Sequence, residues 1–262
     1  MNEFEPLRPL GPNSRNSWKV NAQSADLVRP PLEVRAAIVA SEPKPARFDI
    51  NRSALIVIDM QNDFCHADGW LAGIGVDVAP AASAIAPLQR VLPAARAVGM
   101  PVFWVNWGNR PDLANISPAL RHVYDPAGQD VGLGAPMGPR RAPVLEKGSW
   151  GAAIVEPLMT EPTDIFVDKH RMSGFWDTPL DSILRNLRVD TLFFGGVNAD
   201  QCVYHTLADA NFLGYDTFMF EDAAATTSPE YCMQATIYNA RQIFGFTLKA
   251  DAFVTALEGE SP

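Results

Sequence analysis

Five short apolar runs constrain the fold most, because four of them are followed by residues with helical spacing. Ala54–Asp59 (ALIVID) is the clearest, a nearly continuous apolar run closed by an acid. That pattern belongs to a strand buried on both faces. Val102–Val105, Asp164–Asp168 (DIFVD), Thr191–Gly196 (TLFFGG) and Thr217–Glu221 repeat it, and Phe246–Lys249 predicts a sixth strand. Helical spacing runs over Ala79–Val98, where Gly99 and Pro101 stop it. It returns over Thr178–Leu187, Asp200–Leu213, Pro229–Ile243 and Ala252–Leu257. Strands alternating with helices imply an α/β chain whose mainly parallel sheet is covered on both faces. The 262 residues, 47% of them hydrophobic, can bury such a core.

Charge and cysteine usage narrow the partners. A formal net charge of -9 argues against nucleic acid, which needs a basic surface to displace counterions. No apolar run approaches the roughly 18 residues of a membrane span, so no membrane partner is expected. The first residues, MNEFEPLRPLGPNSRNSW, have no apolar centre of the secretory kind. Cys65, Cys202 and Cys232 form no CxxC and cannot all pair, which points to a reduced, cytoplasmic protein.

Two domains of organisation are expected: an N-terminal arm over residues 1–45 and the α/β domain over 46–262. The arm holds seven prolines and little periodic hydrophobicity. It reads as an extended segment with one short helix around Pro31–Ala40, proline occupying the first turn. Trp18, Val20, Leu27, Val28, Leu32, Val34 and Ile38 are spaced apolar anchors, more than a solvated tail needs. They predict an arm lying across a neighbouring subunit near the active-site mouth, or wrapping its own domain. A second irregular stretch, Gly108 to Gly148, is too long for a simple connection and is expected to carry function.

In parallel sheets the site forms at the carboxyl ends of the strands. Asp59 closes the first strand, Lys169 follows the third, and Cys202 lies just beyond the fourth. A cysteine near a helix start feels the positive end of the macrodipole, and a lysine ammonium beside it would lower its pKa further. Asp59 can take the thiol proton and return it to a leaving amine. Backbone N–H groups in the turn Asn198–Cys202 can bind a developing oxyanion. Each residue alone has an ordinary structural explanation, as cap, solvated lysine or buried thiol. At successive strand ends they make the parts of a covalent amide hydrolase.

These residues carry a resemblance. Val57-Ile58-Asp59-Met60-Gln61-Asn62-Asp63-Phe64 resembles the opening motif of the isochorismatase-like cysteine hydrolases. Gly195-Gly196-Val197-Asn198-Ala199-Asp200-Gln201-Cys202-Val203 resembles their nucleophile motif, and Lys169 falls at their lysine position. The likeness covers about residues 50–257 and implies a three-layer α/β/α fold with Rossmann-like topology. It implies an Asp59–Lys169–Cys202 triad, a cis peptide between Val197 and Asn198, and an oxyanion hole made by the N–H groups of Asn198 and Cys202. Members commonly associate, so a homo-oligomer, dimer or tetramer, is expected. Asn198-Ala199 stands where the family often has Ala or Thr followed by Thr, which changes the pocket lining but not the backbone donors. Nicotinamidases of this superfamily bind metal through an Asp and two His after the second strand; Trp104–Arg110 here has no histidine. His66, His122, His170 and His205 show no ligand pair at helical spacing, so no metal or other cofactor is expected.

Within the superfamily, Lys147-Gly148-Ser149-Trp150 and Ser173 to Arg185 resemble ureidoacrylate amidohydrolases. Gly108-Asn109-Arg110-Pro111-Asp112-Leu113 looks more like biuret and carbamoyl-amine hydrolases, and Met172 stands where the ureidoacrylate enzymes carry an aromatic residue. A small ureide or amide is the implied substrate. Asn106, Trp107, Asn109 and Trp176 are candidate wall residues, and Arg110 or Arg171 can grip a substrate carboxylate. The competing readings are a vinyl-ether hydrolase of the isochorismatase kind, which Cys202 disfavours, and a scaffold that has lost activity.

Overall fold

The computed structural model describes residues 6–259. Six strands form one sheet: β1 (Ser53–Ile58), β2 (Val102–Trp107), β3 (Ile165–Lys169), β4 (Thr191–Gly196), β5 (Asp216–Ala224) and β6 (Gly245–Leu248). Their order is β3-β2-β1-β4-β5-β6 and every neighbouring pair is parallel. All residues of β1, β2 and β4 are buried, the burial that their continuous apolar runs predict. The strand order reverses between β1 and β4, so the crevice at their carboxyl ends is the switch point where such sheets place their sites.

Helix α1 (Ile85–Ala97) presents Leu88, Val91, Leu92 and Ala95 to the core at helical spacing and packs beside the closing helix Ala250–Glu258. The expected single helix over Ala79–Val98 is broken: Ala79–Ala82 forms its own turn, and α1 starts only at Ile85. At its end Gly99 adopts φ +73, and Met100 N donates to Ala95 O at 3.0 Å, a left-handed cap that needs glycine. Leu180–Asn186 buries Leu180 and Leu184, and Tyr204–Phe212 packs against β5 with Leu207 and Ala210 buried. Gly196 is the close approach that lets β4 lie against β1: its φ is +111, and a Cβ there would stand 2.0 Å from Ile58 O.

The arm departs from expectation in two respects. Its first five residues lie outside the described region, and Arg8–Asn13, Asn16–Val20 and Ala25–Asp26 form a small antiparallel sheet of their own. Ala36–Val39, where a short helix is expected around Pro31–Ala40, is a strand paired antiparallel to Ala46–Asp49. The reason is its period of two, with Ala37 and Val39 buried and Ile38 turned outward. Glu42 joins this hairpin to β6 by two backbone bonds with Thr247, 2.8 and 3.0 Å.

The second difference is where the arm docks. Arg15 donates to Asn51 O at 2.7 Å and Gly99 O at 3.2 Å, and Arg35 to Val98 O at 2.9 Å. Arg188 reaches back to Pro30 O at 2.7 Å and Arg15 O at 3.2 Å. Asn51, Gly99 and Arg188 precede β1, β2 and β4, so the arm lies on its own domain at the amino ends of the strands. That is the end opposite Asp59, Lys169 and Cys202, not the mouth of the site. Leu10, Leu27, Val28, Val34 and Ile38 stay exposed: Arg15, Arg35 and Arg188 hold the arm down by hydrogen bonds, and Ala37 and Val39 are its buried apolar anchors.

Candidate active site

Asp59 follows β1 in a left-handed conformation, φ +50, rare for a residue with a Cβ. Its N–H donates to Val105 O at 3.1 Å, and its Oδ1 accepts from the Trp107 N–H at 2.8 Å. The turn thereby aims the carboxylate across the end of β2. Lys169 ends β3, two strands away, and its stem spans β2 over the Trp107 indole, with Nζ 4.4 Å from the ring centroid. Nζ lies 2.8 Å from Asp59 Oδ2, 3.1 Å from Cys202 Sγ and 3.2 Å from Arg171 O. Asp59 and Lys169 have no exposure, and Cys202 is buried.

Cys202 sits in a wide turn, Ala199–Val203, that leads from β4 into the helix Tyr204–Phe212. The peptide between Val197 and Asn198 is cis. Asn198 Oδ1 accepts from Thr227 N at 3.1 Å, Ala199 N donates to Ala225 O at 2.8 Å, and Thr226 Oγ1 to Asp200 Oδ1 at 2.5 Å. The segment after β5 thus holds the whole turn in register. Thr206 Oγ1 donates to Cys202 O at 2.6 Å from one helical turn onward.

The electrostatics correct the expectation of a stored thiolate at Cys202. Burial, and next the Asp59 carboxylate, push the Cys202 thiol far up, and Lys169 offsets this only in part. Burial also lifts Asp59 above the ordinary carboxylate range, against the pull of Lys169, Cys202 and the Trp107 N–H. Burial disfavours the Lys169 ammonium, but Asp59 and Cys202 more than offset it, and its pKa rises. Burial thus works against ionisation of both Cys202 and Asp59, while their charges favour the Lys169 ammonium between them. The sequence places Cys202 near a helix start but cannot show that water is absent there, and burial outweighs the dipole.

The other candidate residues occupy varied positions. Trp107 is buried over Lys169. Asn106 is buried with its Oδ1 lacking a hydrogen-bond partner. Asn109 has no exposure and both amide ends are engaged, Oδ1 by the Trp107 indole at 2.7 Å and Nδ2 by Val144 O at 3.1 Å. It therefore supports Trp107 from behind rather than facing a ligand. Arg110 is exposed and forked onto Asp112. Arg171 donates to Asn115 O at 3.0 Å and lies 3.3 Å from Asp177, with its backbone oxygen on Lys169. Trp176 is exposed and donates to Asp209 Oδ2 at 2.7 Å. Among the described residues no group of three or more His, Cys, Asp or Glu is placed to hold a metal ion.

Several residues that matter to this geometry carry no assigned role in the sequence. Gln61 accepts from Trp107 N at 2.9 Å and donates to Trp107 O and Ala152 O at 2.8 and 2.7 Å. Asn62 holds Trp150 O, and the buried Asp63 accepts from Trp70 N and Leu145 N at 3.1 and 2.8 Å. The motif that opens with Asp59 thus ties the long irregular stretch to the sheet. Its polar residues directly after a strand were the available signal. Met172 Sδ lies 3.8 Å from Cys202 Sγ and accepts from the Tyr124 hydroxyl at 3.8 Å.

Residues 53–252 match the family model of the isochorismatase domain, about three quarters of the chain. The chain belongs to the isochorismatase family. As a family hydrolase, it is similar to solved members along nearly their whole length. A cysteine hydrolase from Pseudomonas syringae pv. phaseolicola 1448A shares the fold with TM-score 0.69 and 24% identity, over 89% of this chain and 100% of that one. An isochorismatase family protein from Desulfovibrio vulgaris subsp. vulgaris str. Hildenborough is 28% identical with TM-score 0.64, over 79% and 98%. N-carbamoylsarcosine amidase from Thermoplasma acidophilum is 29% identical with TM-score 0.57, over 76% and 97%. Among the described residues no helix is long and apolar enough to cross a membrane.

Proposed function

We propose that this protein is a metal-independent cysteine amidohydrolase that cleaves a C–N bond of a small ureide or amide. The observation that carries this reading is the buried row Asp59–Lys169–Cys202, with Nζ 2.8 Å from the carboxylate and 3.1 Å from the sulfur. A neutral thiol beside a carboxylate of raised pKa is a nucleophile with its base in place. As Sγ attacks the carbonyl carbon, Asp59 takes the thiol proton and Lys169 stabilises the sulfur charge. The N–H groups of Asn198 and Cys202 receive the oxyanion. Asp59 returns the proton to the leaving nitrogen, the C–N bond breaks, and ammonia or an amine departs. A thioester, or a carbamoyl-thioester from a ureide, remains on Cys202. Asp59 then takes a proton from water, which attacks the thioester, and the proton returns to the sulfur.

One further observation supports a ureide or amide. The relative from Thermoplasma acidophilum is by name an amidase of a carbamoyl compound. Trp107 and Arg171 border the row, and a ureidoacrylate-like compound or a biuret-like N-carbamoyl amine fits the same chemistry. An ammonia-release screen over ureidoacrylate, biuret, carbamoyl amino acids, nicotinamide and simple amides tests this. Release from a ureide by the wild type, lost in Cys202→Ala, supports the reading. Ammonia release from none of them overturns it.

A further inference from the structure

The helix Glu230–Asn239, which follows β5, buries only Thr236. On its outer side Tyr231, Gln234, Ala235 and Tyr238 are all exposed, the two tyrosines at 70% and 65%. Their spacing, i, i+3, i+4 and i+7, makes one stripe, the face with which an amphipathic helix packs against another element. Glu230 is the helix's one charged residue and stands at its first position. The surface continues in kind past the helix. Ile243 is exposed, and beside it Phe244 meets the ring of the exposed Phe212 with centroids 5.8 Å apart. Phe244 O accepts from Asn211 Nδ2 at 2.8 Å, which locks this turn to the helix Tyr204–Phe212.

We propose that this face is the contact between two copies of the chain, related by a two-fold axis through the middle of the helix Glu230–Asn239. Area, charge and shape select a second copy. The exposed face spans on the order of 700 Å2, close to the roughly 800 Å2 that each side gives to a standard interface. Each chain carries a net charge of -9, so copies repel except where charge is missing. Arg241, the next charge along this face, is taken up by Glu221. A partner held through charge finds no handle here. The stripe is also self-complementary. A two-fold through Gln234–Ala235 sets the small Ala235 against its own copy and lets the helices approach. It brings the Tyr231 end of one helix to the Tyr238 end of the other, with the two helix dipoles opposed. Ser228, two residues before the helix, accepts from Gln201 Nε2 at 3.4 Å, so the contact lies beside the turn that carries Cys202. The assembly holds whether or not Cys202 is the nucleophile.

Sedimentation equilibrium at about 100 µM, well above a micromolar Kd, reads the mass. The wild type should show an even multiple of the 28.6 kDa chain. Tyr231→Glu combined with Tyr238→Glu sets like charges across the axis and should halve that mass. Met159→Glu, on another exposed surface, should leave it unchanged. Both tyrosines are exposed, so the separated chains should fold, which circular dichroism checks. If the double variant misfolds, Ala235→Cys in a Cys232→Ser background gives an independent reading. Mild oxidation should link two chains at position 235, and Cys232→Ser alone should give no link. A wild-type mass of one chain would leave the helix to some other partner and overturns the proposal. An undiminished mass in the folded double variant, equal loss in Met159→Glu, or no covalent dimer through position 235 also overturns it.

Discussion

Lys169 Nζ stands 2.8 Å from Asp59 Oδ2, and neither side chain has any solvent exposure. Two charges leave water together here, which costs stability unless the geometry repays it. The same Nζ also lies 3.1 Å from Cys202 Sγ, which links the pair to the proposed nucleophile. Lys169→Met keeps the stem and deletes the charge. It should lower kcat/KM at least about 100-fold, a loss of about 2.7 kcal/mol. Leaving Asp59 without its cation should also cost stability, about 3–5 kcal/mol for a broken buried pair. Steady-state kinetics with thermal unfolding checks both, and activity within about tenfold of wild type contradicts the role.

As the proposed base, Asp59 must be ionised, so kcat/KM should climb as pH rises through its pKa. Burial places that pKa above the ordinary 3.8, so the acid limb should fall above pH 3.8. Lys169 must stay charged, and its pKa is raised above 10.5, so activity should fall only beyond that at the alkaline end. A kcat/KM profile with an uncharged amide measures both limbs. Iodoacetamide labelling of Cys202 in the free protein should keep rising through neutral pH, because burial holds the thiol protonated. A labelling rate that is already level below neutral pH would mean a stored thiolate.

Asp63 is buried and accepts from Trp70 N and Leu145 N, joining the irregular stretch to the end of β1. Asp63→Ala leaves two buried N–H donors unpaired, at about 1–3 kcal/mol each. It should lower Tm and raise KM, since Trp107 loses its support. Unchanged Tm and KM would show that these bonds are dispensable.

The strand runs, their parallel pairing and the three residues at successive strand ends were legible because each depends on local pattern. β1 and β4 are apolar on both faces, Asp59 is the first polar side chain past the inner end of β1, and Lys169 closes β3. Ala36–Val39 was not legible as a strand because the prolines before it outweigh a four-residue alternation. Tyr124 and Met172 lie in segments without periodicity, and only the folded chain sets them beside Cys202. The protonation of Cys202 depends on burial, a property of the whole packed domain.

Arg188 binds Pro30 O and Arg15 O at the amino ends of the strands, far from Cys202 in the sheet. Arg188→Ala should lower Tm while kcat is unchanged, since it loosens the arm and touches nothing at the site. Removing residues 1–30 should do the same to a greater degree. The mass of that truncated protein in solution tests whether the exposed Leu10 and Val28 also join copies of the chain. A loss of kcat in either variant contradicts the separation of arm and site.

The covalent step is tested most directly by quenching the wild type during turnover of a ureide and mapping its peptides by mass spectrometry. The account predicts an acyl or carbamoyl adduct on Cys202 that is absent in Cys202→Ala, with turnover abolished in that variant. An adduct on Cys65 or Cys232, or hydrolysis that survives in Cys202→Ala, would contradict it.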